Sequence, residues 1–204
     1  MTLAEHFVPR WVGVLQQQWP DISVSLTVTN SEQAATLAAS GQISLGFIEA
    51  STLLAGLEAR QVGTDRLTLV VAPRHPWAHR QAPRDLDELA GTRLIVREQG
   101  SGTREAFERV LADADVTPAR PLMVLDANTA IRSAVAEGVG PAVLSALTVR
   151  DDLAEGRMVE VAVKGTEMRR RLRAVWQKGR PLTGAGKDLL QIAARTPPQG
   201  GPVT

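Results

Sequence analysis

Cysteine and tyrosine are absent from this 204-residue chain, and aromatic residues make up only 3% of it. Without cysteine there is no disulfide, no thiolate metal site and no catalytic thiol. So few aromatics leave little on which nucleic-acid bases could stack. Three histidines, His6, His75 and His79, are too few and too scattered to form a metal cluster. Pro76 lies between the last two and interrupts any helix that would present both to one ion. Neither a metal nor a cofactor is expected. No apolar run approaches a membrane span, and residues 1–19 lack the basic start and unbroken apolar core of a signal peptide. These features lead to the expectation of a cytoplasmic protein with no membrane partner. The 23 Lys and Arg nearly balance the 22 Asp and Glu, so the chain as a whole has no pull toward nucleic acid.

What is present is a well-patterned chain, 44% hydrophobic and long enough to bury one large core or two small ones. Leu3, Phe7, Val8, Trp11, Val12, Leu15 and Trp19 recur at helical spacing and predict one amphipathic helix stopped by Pro20. Ile22, Val24, Leu26 and Val28 alternate with Ser and Thr, which predicts a strand with one buried face. Further on, helices are expected at about 31–40, 85–90, 103–114, 129–137, 146–154 and 185–195. Strands are expected at 44–48, 57–62, 67–72, 93–96, 122–125, 141–144, 158–163 and 169–176. Pro73, Pro76 and Pro83 punctuate the middle of the chain, and the Pro- and Gly-rich end, 196–204, reads as a disordered tail. Strands alternating with helices predict an α/β architecture with a mainly parallel sheet.

The sharpest local feature is Arg97-Glu98-Gln99-Gly100-Ser101-Gly102-Thr103-Arg104, between an expected strand and an expected helix. Its glycines allow a tight turn and close backbone approach to a ligand. The first N–H groups of the helix are unpaired and partly positive. Ser101 and Thr103 add hydroxyls, and Arg104 adds a fork of donors suited to a carboxylate or oxyanion. A capped helix with a surface arginine is the plain alternative. Thr2, Asn30-Ser31 and Asn128-Thr129 mark three more polar helix starts, each by itself readable as an ordinary N-cap. In open α/β sheets, ligands bind beyond the carboxyl ends of the strands, so together these starts favour a site for an anion or small polar molecule.

Glu49 follows an expected buried strand and reads equally as a cleft residue or a surface acid. Arg169, Arg171 and Arg173 share one face of a strand, with Leu172, Ala174 and Trp176 on the other, and a solvated sheet face explains them. Ser101 has no obvious base partner, so catalysis is not expected.

The ordered set of features resembles the effector-binding domain of LysR-type transcription regulators across nearly the whole length. The resemblance is carried by Thr2–Pro9 with a helix ending in Trp19-Pro20-Asp21, by Asn30-Ser31-Glu32 through Gly41 into Ser44–Glu49, and by the strand 67–71. His75-Pro76, the short helix Asp85-Leu86-Asp87-Glu88-Leu89, and Ile131–Leu144 with its Gly138-Val139-Gly140 turn complete it. The Gly-Ser-Gly-Thr-Arg stretch is similar to the branch that regulates sulfur assimilation and carbon fixation.

The resemblance implies a two-lobed fold like that of type 2 periplasmic binding proteins, each lobe a mainly parallel sheet flanked by helices, with two crossing strands joining them. Lobe I would be 1–72 plus 146–204, and lobe II 73–145. A small anionic metabolite would bind between the lobes near Thr2, Asn30, Ser31, Ser101, Gly102, Thr103, Arg104, Asn128 and Thr129. Homodimers or tetramers are implied, with DNA read only through a helix-turn-helix that this sequence does not contain. The family's first strand is also not found ahead of Thr2, and its loss would leave a gap in the lobe I sheet. Two rivals share the fold: a solute-binding protein for an oxyanion such as phosphate or sulfate, and an enzyme with Glu49 as general base.

Overall fold

The computed structural model describes residues 1–50, 52–80, 82 and 84–195. Pro83 and the expected disordered tail lie outside the described residues. The chain divides into two compact units. Unit 1 is Met1–Asp65 with the described residues from Arg170 onward, and unit 2 is Arg66–Arg169. The expected lobe edges at 72/73 and 145/146 both fall within unit 2.

Unit 1 begins with two helices where one is expected, α1 (Thr2–His6) and α2 (Val8–Gln18). Pro9 is the cause. It has no N–H to donate, and its ring crowds the carbonyl four residues earlier, so the chain breaks at Phe7. Leu3, Val8 and Trp11 nevertheless reach one core, joined by Leu172 and Ala174 and by Leu190 and Ala193 of α8 (Gly184–Arg195). Trp11 also packs on Phe47, ring centroids 5.1 Å apart. Helix α3 (Ser31–Ala39) starts at Asn30, whose Oδ1 accepts from the Gln33 N–H at 3.0 Å. It leads into strand β1 (Gly46–Ile48), which pairs antiparallel with β7 (Arg169–Gln177), Gly46 opposite Val175.

The strand expected at 22–29 does not form. Its alternation is intact, but a strand exists only beside a partner, and this segment has none among the described residues. Leu26 and Val28 are 51% and 53% exposed. The segment lines a groove of about 460 Å³ together with residues that include Ile43, Leu45 and Phe47.

β2 (Leu57–Val71) is one 15-residue strand where two are expected. Its unit 2 portion pairs antiparallel with β5 (Ala142–Ser145) on one side and β6 (Val159–Val161) on the other. Beyond β5 lie β3 (Ile95–Arg97) and β4 (Met123–Leu125), which run parallel to each other, with β3 parallel to β5. The α/β class stands, with one correction to strand sense. β3 pairs parallel with both β5 and β4, and the links between these strands are helices α5 (Gly102–Asp113) and α6 (Asn128–Ala136), because parallel neighbours need a long crossover. The pairing of β1 with β7 in unit 1 is antiparallel.

The alternating side chains of β2 serve two cores. Leu67, Leu69 and Val71 join Trp77, Phe107 and Leu111, while Val70 joins Ile95, Ile131, Leu144 and Val149. Helix α4 (Leu86–Gly91), capped by Asp85, and α7 (Ala146–Ala154), capped by Ser145, complete the unit. His75 starts a 3-10 turn at Pro76–His79, its Nδ1 accepting from the Trp77 N–H. That role is structural.

Candidate functional site

In unit 2, β3 ends at Arg97 and the chain turns through Gly100, whose φ of 82° a residue with a side chain would adopt only under strain. Helix α5 then begins at Gly102, with Ser101 at its N-cap position making no side-chain capping bond. Ser101, Thr103 and Asn128 are 2–3% exposed. Asn128 opens α6 as its first helical residue rather than as its cap, which is Ala127, and Thr129 after it is exposed.

Arg97 organises this cluster, and sequence reasoning did not select it. Its side chain is 2% exposed. Nη1 donates to Asn128 Oδ1 at 2.8 Å, while Nε and Nη2 donate to the two carboxylate oxygens of Glu98 at 2.8 and 3.0 Å. Arg104 donates from Nη1 to the Arg97 carbonyl at 3.2 Å and from Nε to Glu108 at 2.6 Å. The signal that was available is position: a charged residue ending a buried strand just before a glycine turn has no solvent of its own to point into.

In unit 1, Thr2 and Ser31 are buried and Asn30 is half-buried. The Ser31 hydroxyl accepts from the Glu49 N–H at 3.1 Å, and the Thr2 hydroxyl accepts from Arg170 Nη2 at 3.0 Å. Arg170 is the centre here and was also missed. Its side chain is fully buried, donating from Nε and Nη2 to Asp65 at 2.8 and 2.6 Å, with Nη1 2.9 Å from Glu49. The strand parity that left Arg169 and Arg171 exposed puts Arg170 on the inner face with Leu172 and Ala174.

Both sequence readings of Glu49 give way to a third, a buried ion-pair member. It accepts from the Leu3 N–H at 2.8 Å and from the Met1 ammonium at 3.1 Å. Burial pushes its carboxyl up, but Arg170, the ammonium and the Leu3 N–H outweigh that and hold it at about 2. Such a group is a poor general base near neutrality. Burial pushes the Arg170 guanidinium down, and Glu49 with Asp65 raises it above its ordinary value.

Each cluster thus consists of buried donors and acceptors gathered at helix starts. Among the described residues no group of three or more His, Cys, Asp or Glu is placed to hold a metal ion, and no helix is long and apolar enough to cross a membrane.

The fold is an α/β module whose buried polar side chains gather at helix starts. The chain belongs to the LysR substrate binding domain family, whose model matches residues 1–197. It is 40% identical to an uncharacterized HTH-type transcriptional regulator of Mycobacterium tuberculosis, over 93% of this chain and 64% of the relative. It is 32% identical, with the same coverage, to the RuBisCO operon transcriptional regulator of Allochromatium vinosum. The chain therefore spans just under two thirds of the length of these relatives. Among solved structures it is similar to the regulatory domain of Synechocystis PCC6803 CcmR in complex with 2-PG. The TM-score is 0.83 at 27% identity, covering 95% of this chain and 92% of the other. The fold is thereby the type 2 periplasmic-binding-protein-like fold expected from the resemblance.

Proposed function

We propose that this chain is the effector-sensing part of a LysR-type transcription regulator and that unit 2 holds the anionic group of a small metabolite. One observation carries the reading. Arg97, Ser101, Thr103 and Asn128 are all buried and meet where β3 ends and α5 and α6 begin, with Arg104 alongside. Arg97 and Asn128 are paired within the protein, and a few buried polar side chains converging at helix starts are what fixes the orientation of a ligand in a recognition site. Relatives that are regulators, and a structural neighbour that holds 2-PG, support the same reading. They lend nothing to the rival role in oxyanion transport. The work is binding rather than turnover, since Glu49 is tied to Arg170. Gly102 and Thr129 are further members of the unit 2 set, and Thr2, Asn30 and Ser31 form a polar set of their own in unit 1. In the whole regulator the metabolite shifts the geometry of a cytoplasmic homodimer or tetramer on DNA, which requires that it favour one arrangement over another.

The test is thermal stabilisation of the chain and of Arg104→Ala by sulfate, phosphate, 2-PG and small carboxylates. A ligand at a hundredfold excess over its Kd adds about 2.7 kcal/mol of stability. One anion should raise the melting point of the parent and lose most of that effect in the variant. An equal response in both removes Arg104 from the site, and no response to any anion removes the anion reading.

A further inference from the structure

We propose that Glu98 is a stand-in for the ligand's anionic group, occupying the Arg97 guanidinium until a carboxylate, sulfate or phosphate displaces it. This rests on the reading of unit 2 as an anion seat. The Glu98 carboxylate meets Nε and Nη2 of Arg97 with two hydrogen bonds, one to each oxygen, at 2.8 and 3.0 Å, the two-pronged pairing in which a planar guanidinium takes an oxyanion. The two partners differ in burial, the Arg97 side chain being 2% exposed and the Glu98 side chain 22%. Glu98 is therefore the partner of the pair that water reaches, and its departure frees Nε and Nη2 of Arg97 from their carboxylate.

Local backbone geometry makes that departure inexpensive. Neighbouring residues on a strand point to opposite faces. Glu98 reaches Arg97 only because β3 ends at Arg97 and the chain bends at once, closed by the Ser101 N–H on the Glu98 carbonyl at 3.3 Å. Turning the side chain outward leaves that backbone bond intact. Arg97 keeps its aim meanwhile, because Nη1 stays on Asn128 at 2.8 Å. The exchange replaces one charge-assisted pair with another, so the buried guanidinium is never left unpaired. In the unliganded protein Glu98 fills that need. It also sets a threshold, since an internal competitor lowers apparent affinity by the fraction of time it leaves the seat open. A clamp closed about nine tenths of the time weakens binding about tenfold.

The experiment is a calorimetric titration of the 204-residue chain with sulfate, and separately with phosphate, alongside Glu98→Gln, Glu105→Gln and Arg97→Lys. Glu105 lies in the first turn of α5 and is not a member of the Arg97–Glu98 ion pair, so its variant removes a nearby negative charge while keeping that pair's own carboxylate. Glu98→Gln should bind several-fold to tenfold tighter, Glu105→Gln should change little, and Arg97→Lys should bind weaker. Glu98→Gln binding no tighter than Glu105→Gln, with the parent still binding, overturns the stand-in and leaves the anion seat standing. No binding by any of the four, all melting cooperatively, overturns the seat and the stand-in together. Should Glu98→Gln fail to fold, the unmodified chain decides. The Glu98 carboxyl carbon resonance moves toward its solvent-exposed position at saturating sulfate if the stand-in is displaced, and an unmoved resonance overturns the proposal.

Discussion

Arg170 in unit 1 and Arg97 in unit 2 are both buried in polar clusters, and the two are held in different ways. Arg170 is matched by Asp65 and Glu49, whose side chains are 0% and 3% exposed, and Asp65 comes from 105 residues earlier in the chain. Arg97 is matched by its own neighbour, reaching in from a partly solvated turn. The first arrangement cannot open without taking the guanidinium away from two buried carboxylates. The second opens by rotating one side chain. A buried guanidinium is therefore not one kind of object: partners from distant strands make it a fastener, and a partner on the adjacent turn makes it a seat with a cover.

The largest expected effect comes from removing the fastener. Arg170→Met leaves Glu49 and Asp65 buried without their cation and should cost about 3–5 kcal/mol, or on the order of 10 °C in Tm. Arg97→Met should cost less, about 1–2 kcal/mol, because Glu98 turns to water. Urea denaturation compares the two, and equal losses would break the distinction.

Acid is the next lever. The Glu49 carboxyl is held at about 2 against an ordinary value of 4.5. A depressed carboxyl contributes stability above its unfolded pKa and loses it as pH falls toward the folded one, so the window is pH 4.5 down to 2. The loss across it is about 3 kcal/mol. Urea midpoints at pH 6, 4, 3 and 2 should fall through that window, and in Glu49→Gln they should fall less steeply.

The smallest effect is expected at Leu26. It is 51% exposed, so Leu26→Thr should change stability by no more than about 0.5 kcal/mol. Leu69→Ala, at a fully buried site, should cost about 2–5 kcal/mol. A large loss at Leu26 in a chemical melt would show that residues 22–29 are buried in solution.

That last contrast marks how far the sequence is legible. Residues 22–28 and 67–71 both carry apolar residues in strand-like patterns, yet only the second lies between partner strands. Alternation reports which faces a strand would have and says nothing of whether a neighbour stands beside it. The order of helices and strands, the Asn30 cap and the glycine turn before α5 were readable because each is written within a few residues. The break at Phe7 was readable in principle from Pro9, but helical periodicity masked it. Arg97 and Arg170 were not found, because their importance lies in partners. For Arg170 those partners are brought together by the pairing of β7 with β2, which carries Asp65, and with β1, which Glu49 follows.

The segment Ile22–Thr29 also bears on how the purified chain behaves in the tube. It has eight residues with alternating β-branched or leucine side chains, no charge and no proline, lying open beside a groove. Such a stretch is a template on which another molecule can add its own backbone, and natural proteins blunt it with lysine or proline. Storage at high concentration is therefore where this protein should first fail, by slow growth of β-rich aggregates rather than by unfolding. A single lysine at position 26 should lengthen its working life on the bench without moving its melting point.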